Sequence, residues 1–550
     1  MKAFLMHKDQ DFDQKQAFPP NEAALSQDLE LNTLFNAMAL GDEFLFNVAK
    51  SAVLSGWSGD MDTILYRQSI LKDCLKNPLV VRELYALTVE TIEKKKRDYW
   101  GFIFKSPGSI LRSSVDVLPM FVTMLKRLRA IADTSVRSFD SDGFKTFFAM
   151  LKNELGDDYF VTLENHLREL KFRDGVLISA KLGEGNKGTN YVLRSSNDKS
   201  AGNGLDFLDG VVDRFFPSTG KGQGWVNYLL RPKSQSYSIY IHPRDESGWN
   251  ALSDLRDRGL NIVGNALAQS TDHILSFFKM LRVELAFYVG CLNLHDRLAQ
   301  KGEPVCFPVL FNATERRHSF HGLYDVCLSL SLQQRAVGND VNADGKDLTV
   351  ITGANKGGKS TFLRSIGLAQ LMMQCGMFVP AASFSANLCS GVFTHYKREE
   401  DATMKSGKLD EELSRMSEMT DHLTSNAILL FNESFAATNE REGSEISEHI
   451  VSALLEKRMK VFFVTHLYEF AHACFTKRKT NAIFLRAERQ SDGSRTFKLV
   501  AAEPLETSYG EDLYNEIFIA SEKGYPHQNM PVVSVETAAC VNDGNAGKSP

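Results

Sequence analysis

Apolar residues recur at three- and four-residue spacing from Leu29 to about Asp133, through NTLFNAMALGDEFLFNVAKSAVLSG, DTILYRQSILKDCLKNPLVVRELYALTVETIEKKK and SSVDVLPMFVTMLKRLRAIAD. That spacing predicts one amphipathic helix after another. Over Gly175–Arg194 the period shortens to two on both sides of EGNKG, which predicts a small β-hairpin. Ser195–Gly224, rich in Ser, Asn, Asp and Gly, reads as an exposed loop region. Helical spacing returns over Gly259–Lys301, about forty residues and roughly 60 Å of helix, long enough to bridge domains or form an arm. From about Pro308 short apolar strands alternate with helices, as an α/β domain requires. The pattern divides the chain into a polar, loosely ordered leader (1–28), a helical region with the hairpin (29–307), an α/β domain (308–520) and a tail of little periodicity, expected to be disordered (521–550). No internal repeat stands out.

Within the α/β region, Thr349–Ser365 reads TVITGANKGGKSTFLRS, an apolar strand that gives way to glycine and then to a helix. Gly353, Gly358, Lys359 and Ser360 fill the fixed positions of G-x-x-x-x-G-K-[ST], in the strand-loop-helix context that motif requires. A triphosphate needs backbone N–H groups converging from a tight turn, which residues without a Cβ permit. The following helix N-terminus adds partial positive charge, the Lys359 ammonium can reach the β- and γ-phosphates, and the Ser360 hydroxyl can ligate Mg²⁺. Gly353, Ala354, Asn355, Lys356, Gly357, Gly358, Lys359, Ser360 and Thr361 are therefore the candidate nucleotide-binding residues, and ATP with Mg²⁺ the expected ligands.

Such a fold needs a second strand that ends in acid beside the first. Ala427–Glu433, AILLFNE, fits, with Glu433 placed to polarise water and Asn432 where an aspartate would ordinarily help hold the metal shell. Asparagine keeps the shape and loses the charge. A further strand, Lys460–His466 (KVFFVTH), ends in a histidine able to orient the γ-phosphate or the water.

Composition narrows the setting. Of 550 residues 43% are hydrophobic, enough for sizeable cores. The eight cysteines are scattered, without zinc spacing, and read as buried thiols of a reducing, cytoplasmic compartment. There is no signal-like apolar segment at the N-terminus and no uninterrupted apolar run of membrane length, so no membrane partner is expected. A net charge of −5 gives no global field for nucleic acid. The densest basic run, Lys94–Arg97 with Lys105 nearby, is the local candidate for phosphate contact, against the plainer reading of a solvated helix face.

Taken together, GANKGGKST, AILLFNES, VTHLYEF and Ser508–Gly510 (SYG) resemble the MutS family of DNA mismatch-repair ATPases, an ABC-type P-loop branch. Asn355 matches that family's G-x-N-x-G-G-K-S-T form of the loop. Upstream, DTILYRQ (Asp62–Gln68), NPLVVREL (Asn77–Leu84) and ELAFYVGCLNL (Glu284–Leu294) are similar to its helical core, lever and connector, so the resemblance covers about residues 30–520. It implies an ABC-type ATPase domain on helical levers, a dimer that completes each ATP site, and ATP-driven opening and closing around DNA. Glu433 and His466 would be the catalytic residues and Ser360 and Asn432 the metal ligands. The segment reaching the partner's nucleotide would be SGKLDEELSRM, with Ser406 and Gly407 as candidates; an ordinary amphipathic helix is the competing reading. The loop facing the partner would be Ser434–Glu440. The family's mismatch-reading members carry an N-terminal domain with a Phe-x-Glu wedge. No such domain is expected here, since the chain's F-x-E is Phe431–Glu433 of the acidic strand.

Three readings stay open: a DNA-acting ATPase without mismatch readout, a nucleotide-dependent scaffold in which Asn432 leaves hydrolysis weak, and a P-loop ATPase unrelated to nucleic acid.

Overall fold

The computed structural model describes residues 1–56, 60–98, 106–172, 177–184, 188–194, 244–398, 407–478 and 480–506. The loop region predicted at 195–224, Ser406, Lys105, Ser508–Gly510 and the tail at 521–550 lie outside the described residues.

Eight helices open the chain: α1 (Glu22–Asp28), α2 (Leu31–Ala39), α3 (Glu43–Leu54), α4 (Met61–Lys76), α5 (Pro78–Asp98), α6 (Pro107–Ser135), α7 (Asp142–Glu154) and α8 (Asp157–Glu169). Four of the starts are set by side-chain caps that satisfy first-turn amides: Asp42 for Phe44 and Leu45, Asp60 for Thr63, Ser106 for Ser109 and Ser141 for Phe144. Strands β1 (Leu177–Leu182) and β2 (Gly188–Arg194) pair antiparallel, with Leu177 opposite Arg194. The long helix α9 (Glu246–Gln300) has 55 residues, about 80 Å. It starts well before Gly259, where the sequence pattern begins. Gly259 sits inside it as a docking point: a Cβ there would meet the Ile178 side chain of β1 at 2.7 Å. From Val283 to Leu294 α9 is buried on every side, and along its length it packs on α2 to α6.

Among the described residues one helix, α6, is long and apolar enough to cross a membrane by length and composition, a property that counting uninterrupted apolar runs misses. Half of that window is buried inside the protein, and the helix packs chiefly on α9. The basic run ends α5 as a solvated face, with Lys94 paired to Glu90 and Lys96 to Glu93.

The remaining elements form two sheets with flanking helices. In order they are β3 (Val309–Phe311), β4 (His318–Leu323), α10 (Val326–Ser331), β5 (Asn339–Asn342), β6 (Leu348–Gly353), α11 (Lys359–Gln374), β7 (Ser383–Asn387), β8 (Val392–Tyr396), α12 (Lys408–Thr420), β9 (Ile428–Asn432), α13 (Glu440–Glu456), β10 (Lys460–Val464), α14 (Tyr468–Arg478), β11 (Ala482–Arg489) and β12 (Arg495–Ala501). The main sheet runs β12-β11-β6-β10-β9-β8, parallel from β11 to β8 with β12 antiparallel at one edge. A smaller sheet runs β3-β7-β4-β5. Central strands β6 and β10 are buried along their whole length, as parallel strands covered on both faces must be. Register then aligns their carboxyl ends: Val464 lies beside both Ile351 and Asn432.

The leader is not loose. Ala3, Leu5, Met6, Phe12 and Leu25 are buried in the helical core. The extended strap before α1 is held by side chains rather than by a sheet. Tyr66 Oη donates to the Phe4 carbonyl (2.6 Å), Tyr288 Oη to the Leu5 carbonyl (2.5 Å) and Arg67 Nε to the Met6 carbonyl (2.8 Å), while the Leu5 amide donates to Glu284 Oε2 (2.6 Å). Helical residues thus satisfy the strap's backbone groups, so no periodicity marks it in the sequence.

Burial pushes the Glu284 carboxyl up to about 7, and its Oε1 has no partner. A carboxyl whose folded pKa is raised binds more protons when folded between about pH 4.5 and 7, so its contribution to stability falls as pH rises through that window. Glu284→Gln should remove this term, roughly 3 kcal/mol across the window. Denaturant unfolding of both proteins at a series of pH values checks it: the wild-type-minus-variant difference should decline from pH 4.5 to 7, and a flat difference would refute it.

Candidate functional site

The loop between β6 and α11 is shaped by its glycines. Gly353 has φ +104° and a Cβ there would lie 2.9 Å from the Ala487 amide nitrogen of β11; Gly358, the N-cap of α11, has φ +85°. Both conformations belong to glycine. Lys356, also at positive φ (56°), completes the turn. Lys359 begins α11 and is 5% exposed, its Nζ donating to the carbonyls of Gly353 (3.1 Å) and Ala354 (3.0 Å). Burial pushes its ammonium down to about 8, with the Glu433 carboxylate opposing and Arg495 reinforcing. A cation held against two carbonyls inside a curled backbone is suited to an anion.

The aligned strand ends bring the other candidates to the same edge. Ser360 Oγ donates to Asn432 Oδ1 at 2.9 Å, so the two proposed metal ligands touch. His466 Nε2 stands 3.1 Å from Glu433 Oε1. That hydrogen bond does most to hold the Glu433 carboxyl below the usual range, against burial, with the charges of His466 and Lys359 assisting. Glu433 itself has φ 54°, and its amide donates to the Val464 carbonyl at 2.9 Å.

A cavity of about 510 Å³ opens from Asn355–Phe362 and Glu433 toward an apolar wall that includes Leu323, Leu328, Leu332, Val337 and Phe497. This wall was not foreseen from sequence. Phe497 is half-exposed on β12, at φ 58°, with its carbonyl accepting from Asn339 Nδ2 at 3.2 Å. Nothing in RTFKLVA distinguishes it from an ordinary edge-strand residue. Phosphate loop and apolar wall in one cavity fit a nucleoside triphosphate, with the base on the wall. A hydroxyl and an amide oxygen at Ser360 and Asn432 fit a hard divalent cation. Among the described residues no cluster of three or more His, Cys, Asp or Glu could hold a metal ion.

Of the partner-facing candidates, Gly407 and Ser434–Glu440 are described, and none of them lines this cavity. Gly407 is the exposed N-cap of α12. In Ser434–Glu440, Ser434 and Phe435 are fully buried, and Asn439 caps α13 through the Glu442 amide.

Comparison with known families decides the lineage: the model of the MutS2 N-terminal domain matches residues 59–301, and that of MutS domain V matches residues 349–528. The chain belongs to the MutS family. Similar relatives include DNA mismatch repair protein MutS of Leptospira interrogans, 28% identical over 50% of this chain and 33% of the relative. DNA mismatch repair protein MSH3 of Arabidopsis thaliana is 34% identical over 30% of this chain and 15% of the relative. MutS protein homolog 4 of Mus musculus is 26% identical over 38% of this chain and 21% of the relative. The chain thus covers a third or less of the length of these relatives. The helical half followed by mixed sheets agrees with MutS domain V as the ATPase fold of the family.

Asn432 stands where the sequence reading expects an aspartate. Its Oδ1 accepts from Ser360, a geometry that aspartate would keep while adding charge. Asn432→Asp should lower the half-saturating Mg²⁺ for ATP turnover by about tenfold. Magnesium titration of both proteins checks it, and identical curves would show that this residue does not serve the metal.

Proposed function

We propose that this chain is an ABC-type, Mg²⁺-dependent ATPase that acts on DNA as a dimer in the cytoplasm, converting ATP binding and hydrolysis into movement of its helical arms. The observation that carries this reading is the convergence of Lys359, Ser360 with Asn432, and Glu433 with His466 at the aligned carboxyl ends of β6, β9 and β10. The loop amides and Lys359 bind the phosphates, Ser360 and Asn432 supply oxygens to the cation, and Glu433, oriented by His466, directs water at the γ-phosphate. When bound, the divalent ion neutralises charge on the phosphates.

Coupling to the helical half is supported by the packing of α11. A Cβ at Gly367 would lie 2.7 Å from Leu430 of β9 and 2.9 Å from Leu29, so α11 is pressed between the sheet and the start of the helical core. Arg364 of the same helix pairs with Glu30 and Asp325. A shift of the phosphate loop therefore moves elements of the helical half.

Mismatch readout is not part of the proposal. Phe431, in the chain's only F-x-E, is fully buried in β9 and cannot stack on a base. Steady-state ATPase and electrophoretic binding with matched, mismatched and branched duplexes test the whole reading. Stimulation by DNA is expected, with less than about tenfold preference, or 1.4 kcal/mol, for a single mismatch. Turnover indifferent to DNA would favour an ATPase with another partner. The missing charge at Asn432 supports a second reading, a nucleotide-dependent scaffold, and binding without turnover would favour it.

A further inference from the structure

The turn that follows β9 is strained and clamped from outside. Glu433 and Phe435 both adopt left-handed backbone, at φ 54° and 61°, a conformation strained for a residue other than glycine. Ser434 between them is fully buried. Its Oγ lies 2.7 Å from His395 Nδ1 and 2.6 Å from the His395 carbonyl oxygen. His395 Nε2 is 3.0 Å from the Glu412 carbonyl oxygen, which can only accept, so the ring carries its proton on Nε2. Burial and the nearby Arg415 push the imidazole down to about 4, which leaves Nδ1 an acceptor, so the single Ser434 hydroxyl proton is shared between Nδ1 and the His395 carbonyl. The Phe435 ring stacks on His395 at 5.1 Å and 20°.

Three elements thus meet at one turn: β8 through His395, α12 through Glu412, and the exit of β9. We propose that His395, seated on the Glu412 carbonyl of α12, is a positioning residue for Glu433, holding the 433–435 turn left-handed so that turnover, rather than nucleotide affinity, depends on the seating of α12. The proposal rests on the assignment of Glu433 as the water-directing group. His395 does not line the nucleotide cavity. Its effect passes through the backbone of Ser434 and Phe435.

The test compares His395→Ala, His395→Asn, Ser434→Ala and Glu433→Gln with the parent protein. His395→Ala and Ser434→Ala should lower kcat at least about tenfold while the dissociation constant for ATP, measured by calorimetry, stays within about twofold. His395→Asn, whose Oδ1 can accept from Ser434, should recover most of the loss, and hydrogen exchange at the 433–435 amides should be fast only in the variants that lose kcat. Ser434→Ala removes a single hydroxyl and serves where His395→Ala does not fold. Parental kcat in His395→Ala and Ser434→Ala, or loss of kcat and affinity together with no rescue by asparagine, overturns the proposal. If Glu433→Gln is slow and the clamp variants are not, only the positioning role fails; if Glu433→Gln turns over at the parental rate, the assignment of Glu433 fails as well.

Discussion

Lys359→Ala is expected to weaken ATP binding by roughly 100-fold or more, about 3 kcal/mol, without loss of thermal stability. The ammonium is the side-chain cation at the heart of the loop, donating inward to the Gly353 and Ala354 carbonyls. Removing it leaves the backbone amides to bind the phosphates alone. Stability should not suffer, because burying this charge already costs free energy: its folded pKa is pushed down to about 8 from 10.5. The sign follows from proton counting. Between about pH 8 and 10.5 the unfolded chain binds more protons at this site, so the wild type gains stability with rising pH relative to the alanine variant. Calorimetric titration with ATP at neutral pH and thermal melts across that range check both parts. Unchanged affinity would remove Lys359 from the phosphate site.

The phosphate loop was legible because its chemistry fixes residue identity at fixed spacing: Gly353, Gly358, Lys359 and Ser360 could be named before any fold was known. The acidic strand was expected beside the loop strand, whereas β10 lies between β6 and β9; Ser360–Asn432 and Glu433–His466 meet because the parallel ends of all three strands share one edge. What could not be read depends on partners remote in sequence. The strap near Leu5 is fixed by Tyr66, Arg67, Glu284 and Tyr288, and its own residues carry no periodic signal. Phe497 reaches the cavity only because β12 pairs back along β11. Gly259 read as the start of a helix, since a glycine between Arg258 and Leu260 offers no sign that a hairpin rests on it.

Glu433→Gln is expected to lower turnover by about 100-fold or more while leaving ATP bound, which separates binding from hydrolysis. Glutamine keeps the length and one acceptor oxygen of the side chain but loses the charge that directs water and that pairs with His466 at 3.1 Å. The carboxylate is held ionised chiefly by that His466 contact, so the group is present in its basic form well into mildly acidic solution. The variant should therefore show both a lower rate and a flatter acid limb, because the carboxylate that would have titrated is gone. His466→Ala supplies the complementary result. It removes the largest influence lowering the Glu433 pKa, leaving burial to raise it, so the acid limb of the rate should move to higher pH. Single-turnover rates across pH 4.5 to 8 for the three proteins, alongside ATP affinities, decide the matter. A parental rate in Glu433→Gln would make the carboxylate structural, and an unshifted limb in His466→Ala would show that the histidine does not tune it.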